Sequence, residues 1–169
     1  MQTRPDPEPT GGLPLDPDLP PAAFSVPPHR QPRLLLAVAA GGALGAPARY
    51  GVGLAVPTAH SGFPTATFLI NVSGCFALGL LVEVLILRGR PGDFLGRYAR
   101  PFAGAGFLGA WTTYSTFAVE TDRLLVQNRA GVAVLYVLGS LLLGLLGVEA
   151  GIRLARVLVA RRGSPQAAS

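Results

Sequence analysis

Five consecutive hydroxyl side chains, Thr112, Thr113, Tyr114, Ser115 and Thr116, stand in an apolar stretch that begins near Pro101, and Gly104, Gly106 and Gly109 precede them. Glycine weakens a helix, and hydroxyls offer the backbone other hydrogen bonds. Together they predict a break inside this stretch. Within a membrane, non-helical backbone is tolerated only where it is buried in protein or lines a water-filled cavity. A break exposes carbonyl oxygens, which suit a hard cation. The hydroxyls can instead donate to an anion. Tyr114 and Phe117, at i and i+3, project to a similar side if helix resumes, and aromatic ring edges are electropositive. One short segment thus offers acceptors for a cation and anion-friendly edges beside them.

Other polar residues in apolar surroundings are candidates because an unpaired polar group costs several kcal/mol in hydrocarbon. Thr67, Asn71 and Gly74 fall at i, i+4, i+7 on one helical face. Asn71 is the costly member, since a carboxamide cannot satisfy itself fully on its own helix. It could line a pore or hydrogen-bond to a neighbouring helix. Tyr136 and Ser140 form a second i, i+4 pair. Arg49, followed by Tyr50, reads as a snorkelling charge with an interfacial aromatic, or as a cation at the mouth of an anion path. Glu120 and Asp122 read as interfacial charges. Cys75 is the lone cysteine, so no intrachain disulfide forms. No metal-ligand, phosphate-loop or nucleophile-elbow motif appears, and "GGALGAPARYG" does not fit G-x-G-x-x-G. The chain reads as a non-enzyme.

The elements that must position these residues are membrane spans. Half of the 169 residues are hydrophobic, 14% are charged, and mean hydropathy is +0.44, outside the range of a soluble domain of this size. All 14 basic residues are Arg. They flank apolar segments rather than forming a basic face, which argues against nucleic-acid binding. Residues 1–32 hold 10 of the 16 prolines and read as a disordered tail. Four apolar segments follow, at about 34–56, 63–87, 101–125 and 131–152. Each can cross a hydrocarbon core of about 30 Å as a helix. Residues 33–159 thus form the membrane domain, and 160–169 a short tail.

Gly41/Gly45 and Gly42/Ala46 in the first span, and Ser140, Gly144, Gly147 and Gly151 in the fourth, present small residues on helical faces. Such faces allow close helix packing in lipid. Four helices alone enclose little interior, so a tight oligomer is expected.

"GGALGAPARY", "TATFLINVSGCFALG" and "GFLGAWTTYSTF", in this order on three consecutive spans, resemble the Fluc/CrcB fluoride channels. The resemblance covers roughly residues 34–159. It implies an all-α membrane protein of four transmembrane helices with a broken third helix, paired as an antiparallel dimer with two pores. It implies passive export of fluoride from the cell. Carried over by position, backbone carbonyls of Gly109 and Thr112 would hold a structural sodium ion that is not transported. Asn71, Tyr114, Phe117, Ser140 and Tyr136 would line the fluoride pore, with Arg49 in its vestibule. Thr116 and Glu120 fall in the same stretch. One departure stands out: Tyr114 occupies a position where the family usually has Phe, which keeps the ring edge but adds a hydroxyl that needs a partner.

Ten arginines near the spans lie on the side of the termini and the second loop, against Arg49, Arg123 and Arg129 on the other. The positive-inside rule then favours cytoplasmic termini in a cell inner membrane. An antiparallel homodimer needs half its copies inserted the other way. The partner is therefore either a second copy of dual topology or an oppositely oriented homologue. A small proton-coupled exporter is the main rival and would need a membrane-embedded carboxylate; a non-transporting scaffold would have no use for a broken helix.

Overall fold

The computed structural model describes residues 31–56, 62–88 and 94–163, with side chains omitted at 94–96 and 162–163. The proline-rich tail up to Arg30, most of the 57–62 connection with His60, and the last six residues lie outside the described residues. Among those described, every regular element is helical.

Helix α1 is Pro32–Ala55. Pro32 opens it, where a missing N–H costs nothing, and Gln31 O accepts from Leu34 N at 3.0 Å and Leu35 N at 3.2 Å. Helix α2 is Thr65–Arg88. The third segment begins earlier than Pro101, where the sequence reading starts it. Helix α3, Phe94–Ala99, runs directly into a π-helical stretch, Arg100–Leu108. Proline within a helix loses a hydrogen bond and its ring crowds the carbonyl four residues back. The wider winding accommodates Pro101 without ending the helix, and glycines 104 and 106 stay inside it. Helix α4, Gly109–Trp111, completes this arm, and α5, Tyr114–Val126, resumes after the break.

Helix α6 is Ala130–Gly163, 34 residues, and so about 50 Å long. It continues well past Ile152 and into the expected C-terminal tail. Nothing between Arg153 and Arg162 breaks a helix, Arg153 pairs with Glu149 at 2.8 Å, and Arg156 bridges to Glu83 on α2 at 2.8 Å. Apolarity therefore ends before the helix does. α1, α2 and residues 130–161 of α6 are each long and apolar enough to cross a membrane.

α2 packs along α6, and α1 along the π-helical stretch. The small-residue faces lie at these contacts. A Cβ on Gly79 would overlap the Val148 carbonyl, and one on Gly151 the Phe76 carbonyl. Across the other pair, a Cβ on Gly41 would overlap the Phe102 carbonyl and one on Gly45 the Phe107 carbonyl. Leucines 135, 138, 142, 145 and 146 point outward on α6, as suits a lipid-facing surface. Gly41→Ala should destabilise the fold by at least about 1–3 kcal/mol, because backbone cannot move aside as a side chain can. Gly51→Ala, whose Cβ would meet nothing within 4 Å, is the matched control. Thermal aggregation midpoints in detergent measure both; an unshifted Gly41→Ala midpoint would contradict the packing.

Candidate functional site

The break is two residues long. Thr112 (φ −75, ψ 159) and Thr113 (φ −147, ψ 123) are extended between helical neighbours. Three separate devices hold it. Thr113 caps α5: its Oγ1 accepts from Thr116 N at 3.2 Å and donates to Thr116 Oγ1 at 3.0 Å, satisfying a donor that helix starts leave open. Trp111 anchors the other side, its indole N–H donating to Ile70 O at 3.0 Å and lying 3.2 Å from Ser73 Oγ.

The third device is Asn71. Its Oδ1 accepts from Thr113 N at 2.9 Å while its Nδ2 donates to Thr113 O at 3.0 Å. One carboxamide thus stands in for the ladder that the Thr113 peptide unit has lost. A carboxamide has two N–H groups, so one remains after this pairing. Asn71 is at once the brace of the break and a donor at its edge.

A cleft of about 450 Å³ opens beside the break, and its lining includes Asn71, Gly109, Thr112, Tyr114, Phe117 and Ser140. Ser140 Oγ is buried and has no hydrogen-bond partner among the described residues, which leaves its hydroxyl available to a bound species. The rings of Tyr114 and Phe117 are 6.2 Å apart, and Tyr114 is 81% exposed. Its added hydroxyl can therefore reach solvent or a partner chain. Among the described residues, no carboxylate lines the cleft.

Four residues singled out from the sequence stand outside the cleft lining. Thr116 is engaged in the cap. Arg49 donates through Nη1 to Thr112 O at 3.3 Å, so its guanidinium sits against the break. Tyr136 is fully buried behind Phe117, ring centroids 5.0 Å apart, and its hydroxyl donates to Glu120 Oε2 at 2.8 Å. Glu120 Oε1 accepts from Thr67 Oγ1 at 3.0 Å. Glu120 is therefore not an end charge left to solvent: it is half-buried, with both oxygens held by hydroxyls from α2 and α6. The sequence carries the Thr67–Asn71 spacing but no sign of this partnership, since Glu120 stands 53 residues from Thr67 and 16 from Tyr136. Thr113 is likewise visible in the sequence only as one of five hydroxyls, and Trp111 only as a letter of the third-span motif.

The carbonyls at the break fit a hard cation in chemistry. In an unbroken helix Thr113 N–H would serve Gly109 O and Thr116 N–H would serve Thr112 O, but these donors have turned to Asn71 and Thr113 Oγ1. Among the described residues, Thr112 O takes only the long contact from Arg49, and a carbonyl oxygen has two lone pairs. Two oxygens are fewer than a hard cation needs, so water or another chain would have to supply the rest.

These features define an all-helical membrane protein whose polar groups gather at one broken helix. Residues 36–152 match the family described as CrcB-like protein, Camphor Resistance (CrcB), and the chain belongs to that family. It is 49% identical over 129 residues, 76% of its length, to "Fluoride-specific ion channel FluC 3" of Streptomyces avermitilis, of which it spans 61%. It is 45% identical to "Fluoride-specific ion channel FluC 2" of Leifsonia xyli subsp. xyli, covering 82% of this chain and 94% of that one. For "Fluoride-specific ion channel FluC" of Paracoccus denitrificans the identity is 43%, covering 74% of this chain and 96% of the relative.

Proposed function

We propose that this chain is a passive fluoride channel that lowers cytoplasmic fluoride. The observation that carries the reading is the cleft beside the break, where the unpartnered Ser140 hydroxyl, the remaining Asn71 N–H and the Tyr114 and Phe117 rings converge without a carboxylate. Membership of the family and three relatives named as fluoride-specific channels support it. Fluoride is small and strongly hydrated. A pore must replace its water with donors and positive ring edges, yet hold it weakly enough for it to leave. HF enters from an acidic medium and dissociates at cytosolic pH, and an inside-negative potential then drives the anion out by about 2.3 kcal/mol per 100 mV.

Two antiparallel subunits complete the pores in this reading. The Gly109 and Thr112 carbonyls of each would hold a structural sodium ion at their centre. Bound there, sodium supplies a fixed positive charge. Arg49 then steadies Thr112 at the edge of that site. The arginine bias favours cytoplasmic termini, and so a partner inserted the other way: a dual-topology second copy or a homologue. Streptomyces avermitilis has relatives named FluC 2 and FluC 3, so more than one such chain occurs in one organism. C-terminal reporters active in only one compartment decide between them. A signal confined to the cytoplasm supports the homologue pair, and equal signal on both sides rejects it.

Expressed in bacteria stripped of their own fluoride exporters, this chain, with a homologue if one is required, should lower internal fluoride and restore growth. Unchanged internal fluoride with the protein present in the membrane would contradict the proposal. Glu120 keeps a second reading alive. A half-buried carboxylate is what a proton-coupled exporter requires, and that reading demands transport which collapses without a pH gradient.

A further inference from the structure

At the end of the helices opposite the start of α1 and the end of α6, a second, smaller cavity of about 220 Å³ lies between the start of α2 and the turn joining α5 to α6. Its walls include Gly62, Glu120, Arg123, Gln127 and Arg129. We propose that it is a guanidinium-lined mouth of the fluoride path, in which Arg123 and Arg129 gather a small hydrated anion at the solvent end; this rests on the fluoride-channel reading.

The turn builds the mouth deliberately. Asn128 takes a left-handed φ of 58. Asn128 N donates to Leu125 O at 3.0 Å and Arg129 N to Leu124 O at 2.8 Å, the paired bonds of a Schellman ending. Arg129 is thereby fixed one residue before α6 begins. Across the cavity Gly62 adopts a φ of +70, and a Cβ there would overlap the Arg129 guanidinium. The backbone conformation therefore calls for glycine, and the Arg129 guanidinium lies over bare main chain. Arg123 projects from the last turn of α5, exposed.

One packed cluster stands between the mouth and the cleft. Phe117 borders the cleft, and Glu120, one helical turn later, borders the mouth. Between them stand Tyr136 and Thr67, both bonded to the Glu120 carboxylate. Among the described residues, the lining carries two guanidinia and one carboxylate, whose oxygens accept from Thr67 and Tyr136. The charge of that described lining is net positive, and walls of low dielectric focus such a field. The amide of Gln127 adds a neutral donor where a departing ion regains its water.

The test uses the full chain in liposomes (with its homologue if one is needed), comparing wild type with Arg123→Gln, Arg129→Gln and the double substitution. Initial fluoride efflux is measured at about 0.01 M and about 1 M ionic strength, where the Debye length is about 30 Å and about 3 Å. At low ionic strength the double variant should run about tenfold slower, at the low end of the range for electrostatic focusing, and each single variant part-way. At high ionic strength all should converge on the wild-type rate. Arg123→Gln alone carries the result if Arg129→Gln disturbs the turn. Equal rates at low ionic strength, or a slowing of the same size at both, would overturn the mouth while leaving the channel reading intact. A wild-type protein silent to fluoride at both would overturn the two together.

Discussion

Replacing Phe117 by Ile should cut the initial fluoride efflux rate about 100-fold, equivalent to roughly 2.7 kcal/mol on the barrier to passage. Phe117 lines the cleft and lies with its ring 5.0 Å from Tyr136 and 6.2 Å from Tyr114. Ile retains most of the apolar volume but has no electropositive edge. The ring also packs against the small buried cluster of Leu124, Ala133 and Tyr136, so a loss of about 1–2 kcal/mol of stability accompanies the change. That is too little to unfold the protein, which should still elute as a single species in detergent. Flux loss with folding retained separates a pore ring from a packing ring. Undiminished flux in Phe117→Ile would remove the ring edge from the mechanism and leave Phe117 a packing ring.

The second large effect falls on Asn71. Asn71→Ala should destabilise the protein and stop fluoride movement together, because it orphans both the N–H and the C=O of Thr113 at the break. Each buried group left unpaired costs about 1–3 kcal/mol. Asn71→Asp divides the two roles. An aspartate keeps an acceptor for Thr113 N–H, but loses the donor to Thr113 O and sets a negative charge beside the cleft. Its thermal aggregation midpoint should fall between those of the wild type and Asn71→Ala. Its fluoride flux should be as low as that of Asn71→Ala. Wild-type flux in Asn71→Asp would show that Asn71 braces the break and does not meet the ion.

Local features of this fold were legible in the sequence, and partnerships across it were not. The break follows from glycines and hydroxyls adjacent in the chain, and the close helix contacts from small residues at helical spacing, since both are written within a turn or two. The Asn71–Thr113 pairing spans 42 residues, and its geometry exists only once α2 lies beside the third segment. Glu120 misled for the same reason. Near the end of an apolar run a carboxylate looks interfacial, and only Thr67 and Tyr136 arriving from two other helices make it internal. Segment ends strayed where apolarity and helicity part company: Pro101 is absorbed by wider winding, and α6 outlasts its apolar stretch on arginines that pair with Glu149 and Glu83.

The most direct test is fluoride efflux from liposomes that contain the purified chain, followed with a fluoride electrode without a pH gradient and with chloride as the control. A homologue of opposite charge bias is co-reconstituted if the chain alone is silent. Fast fluoride efflux, alone or with that partner, and no chloride movement is the predicted result. Silence toward fluoride under both conditions, or transport that requires a proton gradient, would contradict a passive fluoride channel.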